Sequence, residues 1–362
     1  MRRTLPVCSD ALFWRDFPNA RLFTLNREKA LNALNLEMVK EMGRGYLQQR
    51  HPKGDSTLFV VKGMGSKSFC AGGDVVTLAT NKAIVAEFFY REYQLNHHIL
   101  TMPNPQVSLW NGYVMGGGAG ISVHGRYRVA SERALFAMPE NAIGLFPDVG
   151  ASWFLPRLKM PGVGFYLGLT GARVKGADLV HLGLATHFVP SSSFDVLEER
   201  LCHIDDPSKV DACLAEFSVK DLPPFTLVEH QAVIEKIFTV KEDMTVEGVL
   251  RSLEDDRSEF ARDAISMIEK LSPTSLKLTL EMHKIGAKAK NPAEVFNMDY
   301  VGALHTHSGG DFTEGVRALL VDKTKDPKWN PPTLADVTPE HLAKFFKPLG
   351  PEVRPWDAKK QY

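Results

Sequence analysis

Two short strand-like segments stand early in the chain, the mostly apolar ARLFTL at Ala20–Leu25 and the unbroken apolar LFVV at 58–61. Both predict strands, and the continuous rather than alternating LFVV predicts one buried in a parallel sheet. Each run is followed by a polar loop and then by helical spacing. After the first comes NREKALNAL and a helix with Leu34, Met38 and Met42 on one face; after the second comes a loop ending in CAGGD, then a long helical stretch. The repeated strand, Gly/Asn loop and helix predict an α/β core. From about 201 onward the pattern is mostly helical, with apolar-periodic stretches at 271–280 and 312–321 and loops at Pro223-Pro224 and Pro331-Pro332. Residues 1–16 read as a tail, and the polar, Pro-punctuated 351–362 is expected to fray.

Two glycine turns change the picture from architecture to chemistry. Gly116-Gly117-Gly118 leaves backbone N–H groups open to close approach, because no Cβ stands in the way. A helix starting there aims those N–H groups and its dipole at an oxygen that becomes negative. Gly72-Gly73-Asp74 ends the loop after the second strand, so two such loops are able to bring amides to one carbonyl oxygen from opposite sides. Glu140 and Asp148, in MPENAIGLFPDVG, then offer acid, base or nucleophile. Each feature has a structural alternative: close helix–strand packing for the glycines, a helix-start carboxylate beside Pro139 for Glu140, a turn residue after Pro147 for Asp148.

Taken in order, NREKALNAL, FCAGGD, NGYVMGGGAG and MPENAIGLFPDVGASWFLPRL resemble the crotonase (enoyl-CoA hydratase/isomerase) superfamily. The resemblance runs from about Phe17 to about Leu349, and SPTSLKLTL (272–280) and DFTEGVRALLVDK (311–323) are similar to its thioester-hydrolase branch. It implies a ββα superhelical spiral core over 17–200 and a helical C-terminal region over 201–350. It implies an acyl-CoA thioester hydrolase of valine breakdown, acting on a short branched hydroxyacyl group. Position by position, the resemblance makes Gly73 and Gly117 the two oxyanion donors, with Gly116 and Gly118 beside the substrate. Glu140 and Asp148 become the catalytic acids, and Glu92 in FFYREYQL lines the substrate site. Arg27, Lys29, Ala30, Leu31, Gly72 and Asp74 line the CoA arm. The hydratases of the superfamily carry a Glu three residues beyond the second donor, where this chain has Gly120. Hydration needs two carboxyls sharing one water, so the departure argues against a hydratase.

Composition narrows the rest. Lys plus Arg equals Asp plus Glu at 43 each, giving no electrostatic case for nucleic acid or an anionic membrane, and no apolar run approaches the ~20 residues that span a bilayer. Cys8, Cys70, Cys202 and Cys213 lack CxxC spacing, which fits a reducing compartment and packing roles. His97, His98, His124, His181 and His187 lack a second pair at ligand spacing, so no metal is expected. No cofactor is expected either, CoA being part of substrate and product. The role in valine breakdown points to mitochondria, and the basic MRRTLPVCS suits a brief presequence limited by Asp10 and Asp16. Two rival readings stay open: an enoyl-CoA isomerase or hydratase-type enzyme on the same scaffold, and a non-catalytic acyl-CoA-binding subunit. Oligomeric state stays open between a homo-oligomer and a chain whose helical region covers that surface itself.

Overall fold

The strands predicted at Ala20–Leu25 and 58–61 are the parallel pair β3 (Ala20–Leu25) and β4 (Leu58–Gly63) at the centre of a seven-stranded sheet in the computed structural model, which describes residues 7–48 and 57–359. The sheet order is β1 (Val7–Ser9), β2 (Leu12–Asp16), β3, β4, β6 (Gln106–Trp110), β8 (Tyr127–Ala130) and β11 (His187–Phe188). A second sheet of four runs β10 (Val174–Lys175), β9 (Leu135–Ala137), β7 (Tyr113–Met115) and β5 (Ser68–Cys70). From β4 to β9 successive strands alternate between the sheets, with β4, β6 and β8 parallel in the large one and β5, β7 and β9 parallel in the small one. Helices intervene: α1 (Leu36–Leu47) before β4, α2 (Val75–Thr80) and α3 (Val85–Thr101) after β5, and α4 (Gly117–Val123) after β7. The result is the ββα spiral expected.

The unbroken apolar run of β4 follows from burial on both faces. Phe59 and Val61 belong to the main core, whereas Leu58 and Val60 join a second cluster with Leu197 and Leu201 behind the sheet. The main core runs from Leu12 to Trp356, so the helical region and the spiral share one apolar interior. Its principal members for the site are α5 (Pro273–Lys288), α6 (Pro292–Gly309) and α7 (Asp311–Val316). After β11 no further strand occurs among the described residues.

Both ends differ from expectation. Residues 7–16 are not a tail: β1 and β2 pair antiparallel and extend the sheet from β3. Leu12 and Trp14 alternate into the core at 0% and 4% exposure, and the buried area of that pair outweighs the charges beside it. The expected presequence falls largely on residues 1–6, outside the described residues. At the other end Trp356 is buried against the rings of His97 and Phe296, at 5.7 and 6.1 Å, and Arg354 stacks on Tyr90 at 4.0 Å. One large aromatic thus ties down a stretch that its prolines and charges suggested would fray.

Candidate active site

The two glycine turns meet. Leu34 bridges the CAGGD loop by donating its N–H to Gly72 O and accepting from Asp74 N–H, both at 2.8 Å. A parallel bridge of this kind uses the groups on either side of Gly73, so Gly73's own N–H points away from Leu34. On the facing turn Gly116 has φ 46° and opens α4, leaving the Gly117 N–H in the first helical turn without an intrahelical acceptor. A Cβ placed on Gly117 would lie 3.2 Å from Gly73 N, so the two amides flank one small space. Gly118 differs from expectation. Its Cα packs on the carbonyl and side chain of Cys70, outside the cavity, which is the close helix–strand contact that glycine permits. Cys70 itself is buried and its thiol is pushed up to about 12 by that burial, as suits a packing residue.

The glycines open on a cavity of about 400 Å³ walled by Leu78, Phe88, Phe89, Leu145, Leu319 and Leu320. That size suits a small acyl-thioester end. Three carboxyl groups converge on it: Glu92 from α3, Glu140 from the turn after β9, and Asp148 eight residues later. They are 2%, 5% and 4% exposed. Glu92 Oε1 and Glu140 Oε2 have no hydrogen-bond partner among the described residues, which marks where substrate or water would satisfy them. A larger cleft, about 510 Å³ between residues 242–247 and 337–346, is lined by ion pairs such as Lys277–Glu247 at 2.7 Å and has no such convergence of buried acids.

Burial, reinforced by mutual repulsion, sets the protonation of this trio. Glu92 is pushed well above the usual carboxylate range by burial first, then by the charges of Asp148 and Glu140. Glu140 is pushed up likewise, by burial and then Asp148. Asp148 rises to about 6 through burial, opposed by the Tyr93 hydroxyl, which donates to its Oδ2 at 2.5 Å. A raised carboxyl pKa means that the folded state keeps the proton to higher pH than the unfolded chain. The associated stability is therefore complete below the ordinary value of 3.8 and is lost as pH rises to about 6. At pH 8 ionised Asp148 is a net burden on the fold. Asp148→Asn is expected to raise the unfolding free energy at pH 8 by roughly 1–3 kcal/mol, with the gap closing below pH 4. Urea titrations of both proteins at the two pH values check this, and an equal gap at both would contradict it.

Glu140 is aimed by the C-terminal region. Its neighbour Asn141 donates Nδ2–H to Gly168 O and Leu169 O at 2.9 and 3.0 Å, and accepts at Oδ1 from the Thr279 hydroxyl at 2.8 Å. Ser272 N–H donates to Asn141 O at 3.2 Å, and its hydroxyl donates to Asp311 at 2.8 Å. The SPTSLKLTL and DFTEG segments thus clamp the turn that carries the acid.

One expectation needs correction. Gly120 in place of the hydratase Glu implies a single hydratase-type carboxylate. A Cβ there would meet Val149 Cβ at 2.7 Å and Asn96 Oδ1 at 2.9 Å, so no Glu fits; yet Glu92 brings a second carboxylate from another element. The count of acids therefore does not exclude a hydratase. Arg27, expected at the CoA phosphates, joins the two loops by pairing with Asp74 at 2.8 Å and donating to Ala33 O at 2.7 Å. Burial would raise Asp74, but Arg27 and the Thr77 N–H outweigh it and hold the carboxyl low. Lys29 and Ala30 are exposed on that loop and Leu31 is half-buried; none lines the cavity, whereas Gly72 does. Tyr93 and Asp299 were not anticipated. Tyr93 is one residue from Glu92, and Asp299 is a mid-helix acid whose partner lies far away in sequence.

Opposed backbone amides over buried acids, on a ββα spiral, define a crotonase-type site that polarises an acyl carbonyl. Residues 20–346 match the Enoyl-CoA hydratase/isomerase family model, and the chain belongs to that family. It is similar to the mitochondrial 3-hydroxyisobutyryl-CoA hydrolases of Rattus norvegicus (45% identical, covering 91% of this chain and 87% of that protein) and Homo sapiens (43%, 91% and 86%). Similar solved structures are a carnitinyl-CoA dehydratase from Mycobacterium thermoresistibile and an enoyl-CoA hydratase from Rhodobacter sphaeroides 2.4.1. The first has TM-score 0.87 and 33% identity, covering 96% of this chain and 99% of that one; the second has 0.83 and 34%, covering 95% and 98%. One scaffold carries dehydratase, hydratase and hydrolase names, so the reaction has to be argued from the site.

Proposed function

We propose that this chain hydrolyses 3-hydroxyisobutyryl-CoA to 3-hydroxyisobutyrate and CoA, in mitochondria, as a step of valine breakdown. The observation that carries the chemistry is the pair of facing Gly73 and Gly117 N–H groups with an unpartnered Glu140 oxygen in the same cavity. The hydrolase names of the curated relatives choose the acyl group and the compartment. The thioester oxygen lies between the two amides, which strengthen their hold as it gains charge. Glu140 either attacks the thioester carbon or takes a proton from the attacking water. The C–S bond then breaks, the CoA thiolate takes a proton from Asp148 or from water, and on the first route water next cleaves the mixed anhydride, which releases the product acid and restores the Glu140 carboxylate. Tyr93 orients Asp148. Water and the chain's own groups suffice for this sequence, with CoA belonging to substrate and product.

Thiol release from a panel of acyl-CoA thioesters differing at the β-hydroxyl and α-methyl tests the reading. The 3-hydroxyisobutyryl thioester is expected to lead by at least about 10-fold, the worth of one or two substrate contacts. Crotonyl-CoA should keep its conjugated absorbance. Flat rates, or hydration of crotonyl-CoA without thiol release, would favour a hydratase-type enzyme; tight binding without turnover would favour a binding subunit. Because Glu140 must ionise to act and burial raises its pKa, the acid limb of kcat/KM is expected above the ordinary carboxylate range. A limb at pH 4–5 would show that the titrating group lies in water.

A further inference from the structure

Asp148 is carried by a strained turn. Val149 has φ 53°, in the left-handed region that β-branched residues rarely enter, and Gly150 follows at φ 78°. Left to itself, a valine relaxes to extended backbone, and that rotation would swing the adjoining Asp148 out of the cavity. Two buried side chains oppose it. Asp299 Oδ2, on α6, accepts from Gly150 N–H at 2.7 Å, and His124 Nε2–H donates to Val149 O at 2.8 Å. The donor assignment follows from the accepting carbonyl. His124 is enclosed edge-on by the Phe154 and Phe296 rings at 5.8 and 5.4 Å. A Cβ on Gly150 would lie 2.9 Å from both His124 Cε1 and Phe296 Cζ, so the turn has no slack on that side.

Asp299 is 0% exposed, and its Oδ1 has no partner among the described residues. A carboxyl left half-satisfied inside an apolar interior is costly, and the contact it makes is the one to Gly150. We propose that Asp299 is a positioning residue for Asp148, holding the Val149–Gly150 backbone in its left-handed conformation so that the helical C-terminal region directly sets the geometry of the catalytic acid. Ser272 and Thr279 steady Glu140 through Asn141, and Asp299 does the corresponding work for Asp148.

The inference rests on the thioester-hydrolase reading, and thiol release by the full chain tests both separately. Asp299→Ala is expected to lower kcat by roughly 10–100-fold, the cost of an ångström-scale misplacement, with KM within about 3-fold. Asp299→Asn, whose amide oxygen still accepts from Gly150, should stay within about 5-fold of wild type. Adding Val149→Gly to Asp299→Ala should recover at least about 5-fold, because glycine adopts positive φ without strain. If Asp299→Ala does not fold, Asp299→Leu fills the volume without accepting and carries the same expectation and the same rescue. Unchanged kcat in Asp299→Ala or Asp299→Leu, an Asn variant as impaired as Ala, or no recovery with Val149→Gly would each overturn the proposal. A wild type that releases no thiol would instead remove the hydrolase reading itself.

Discussion

Glu140→Gln is expected to lower kcat by about 10³-fold while KM stays within a few-fold, within the usual range for removing a positioned acid–base group. The substitution keeps the shape of the side chain and replaces a carboxyl that burial already drives toward its neutral form. The variant should therefore fold at least as firmly as wild type, since it removes a charge that the 5%-exposed site penalises. It can neither attack a thioester carbon nor take a proton from water, so both routes fail together. Full activity in a folded Glu140→Gln would remove Glu140 from the mechanism and leave Glu92 and Asp148 as the remaining acids in the cavity.

The two routes separate in wild type. Attack by the Glu140 carboxylate makes a mixed anhydride and expels CoA before water enters; general-base catalysis delivers water directly to the thioester carbon. The unpartnered Glu140 Oε2 in the same cavity is available to attack, which favours the anhydride. A single turnover in heavy-oxygen water should then place label in the Glu140 carboxylate when water attacks the enzyme-side carbonyl, and hydroxylamine should trap an acyl hydroxamate. Label confined to the product acid with no trapped adduct would establish the general-base route.

Much of the site was legible because its parts are local. A turn needing close approach requires glycine at Gly72, Gly73, Gly116 and Gly117, and a turn after proline places Glu140; these are short-range demands that residue types disclose. The strands β3 and β4 were legible because burial on both faces leaves few polar positions, Arg21 and Thr24 in the first and Lys62 in the second. What stayed hidden depends on distant packing. Glu92 was placed at the site through resemblance alone, since a glutamate on an amphipathic helix looks the same facing water or a cavity. The Tyr93–Asp148 bond spans 55 residues and the Asp299–Gly150 bond 149, and no local pattern encodes either. The Arg27–Asp74 pair was hidden because the two residues lie on different loops. Termini are usually loose, but at residues 12–14 and 356 the buried side chains Leu12, Trp14 and Trp356 decide otherwise.

Gly118 and Gly117 sit side by side in one triplet, and the structure assigns them different work that a pair of substitutions should expose. A Cβ on Gly118 would run into the carbonyl of Cys70, so Gly118→Ala is expected to lower stability by roughly 1–3 kcal/mol through overpacking. Any surviving folded fraction should turn over at a near-normal rate, because the added methyl lies outside the cavity. A Cβ on Gly117 would instead enter the space between the two amides, 3.2 Å from Gly73 N, and collide with Glu92 Oε1. Loss of one oxyanion donor alone costs about 10²–10³ in turnover. Gly117→Val both fills the position of the thioester oxygen and displaces a buried acid, so kcat/KM should fall by at least about 10³-fold. Circular dichroism and a melting curve establish that the variant is folded before the assay is read. Near wild-type turnover in folded Gly117→Val would mean that the acyl carbonyl is polarised elsewhere, and the assignment of Gly73 and Gly117 as its donors would fall with it.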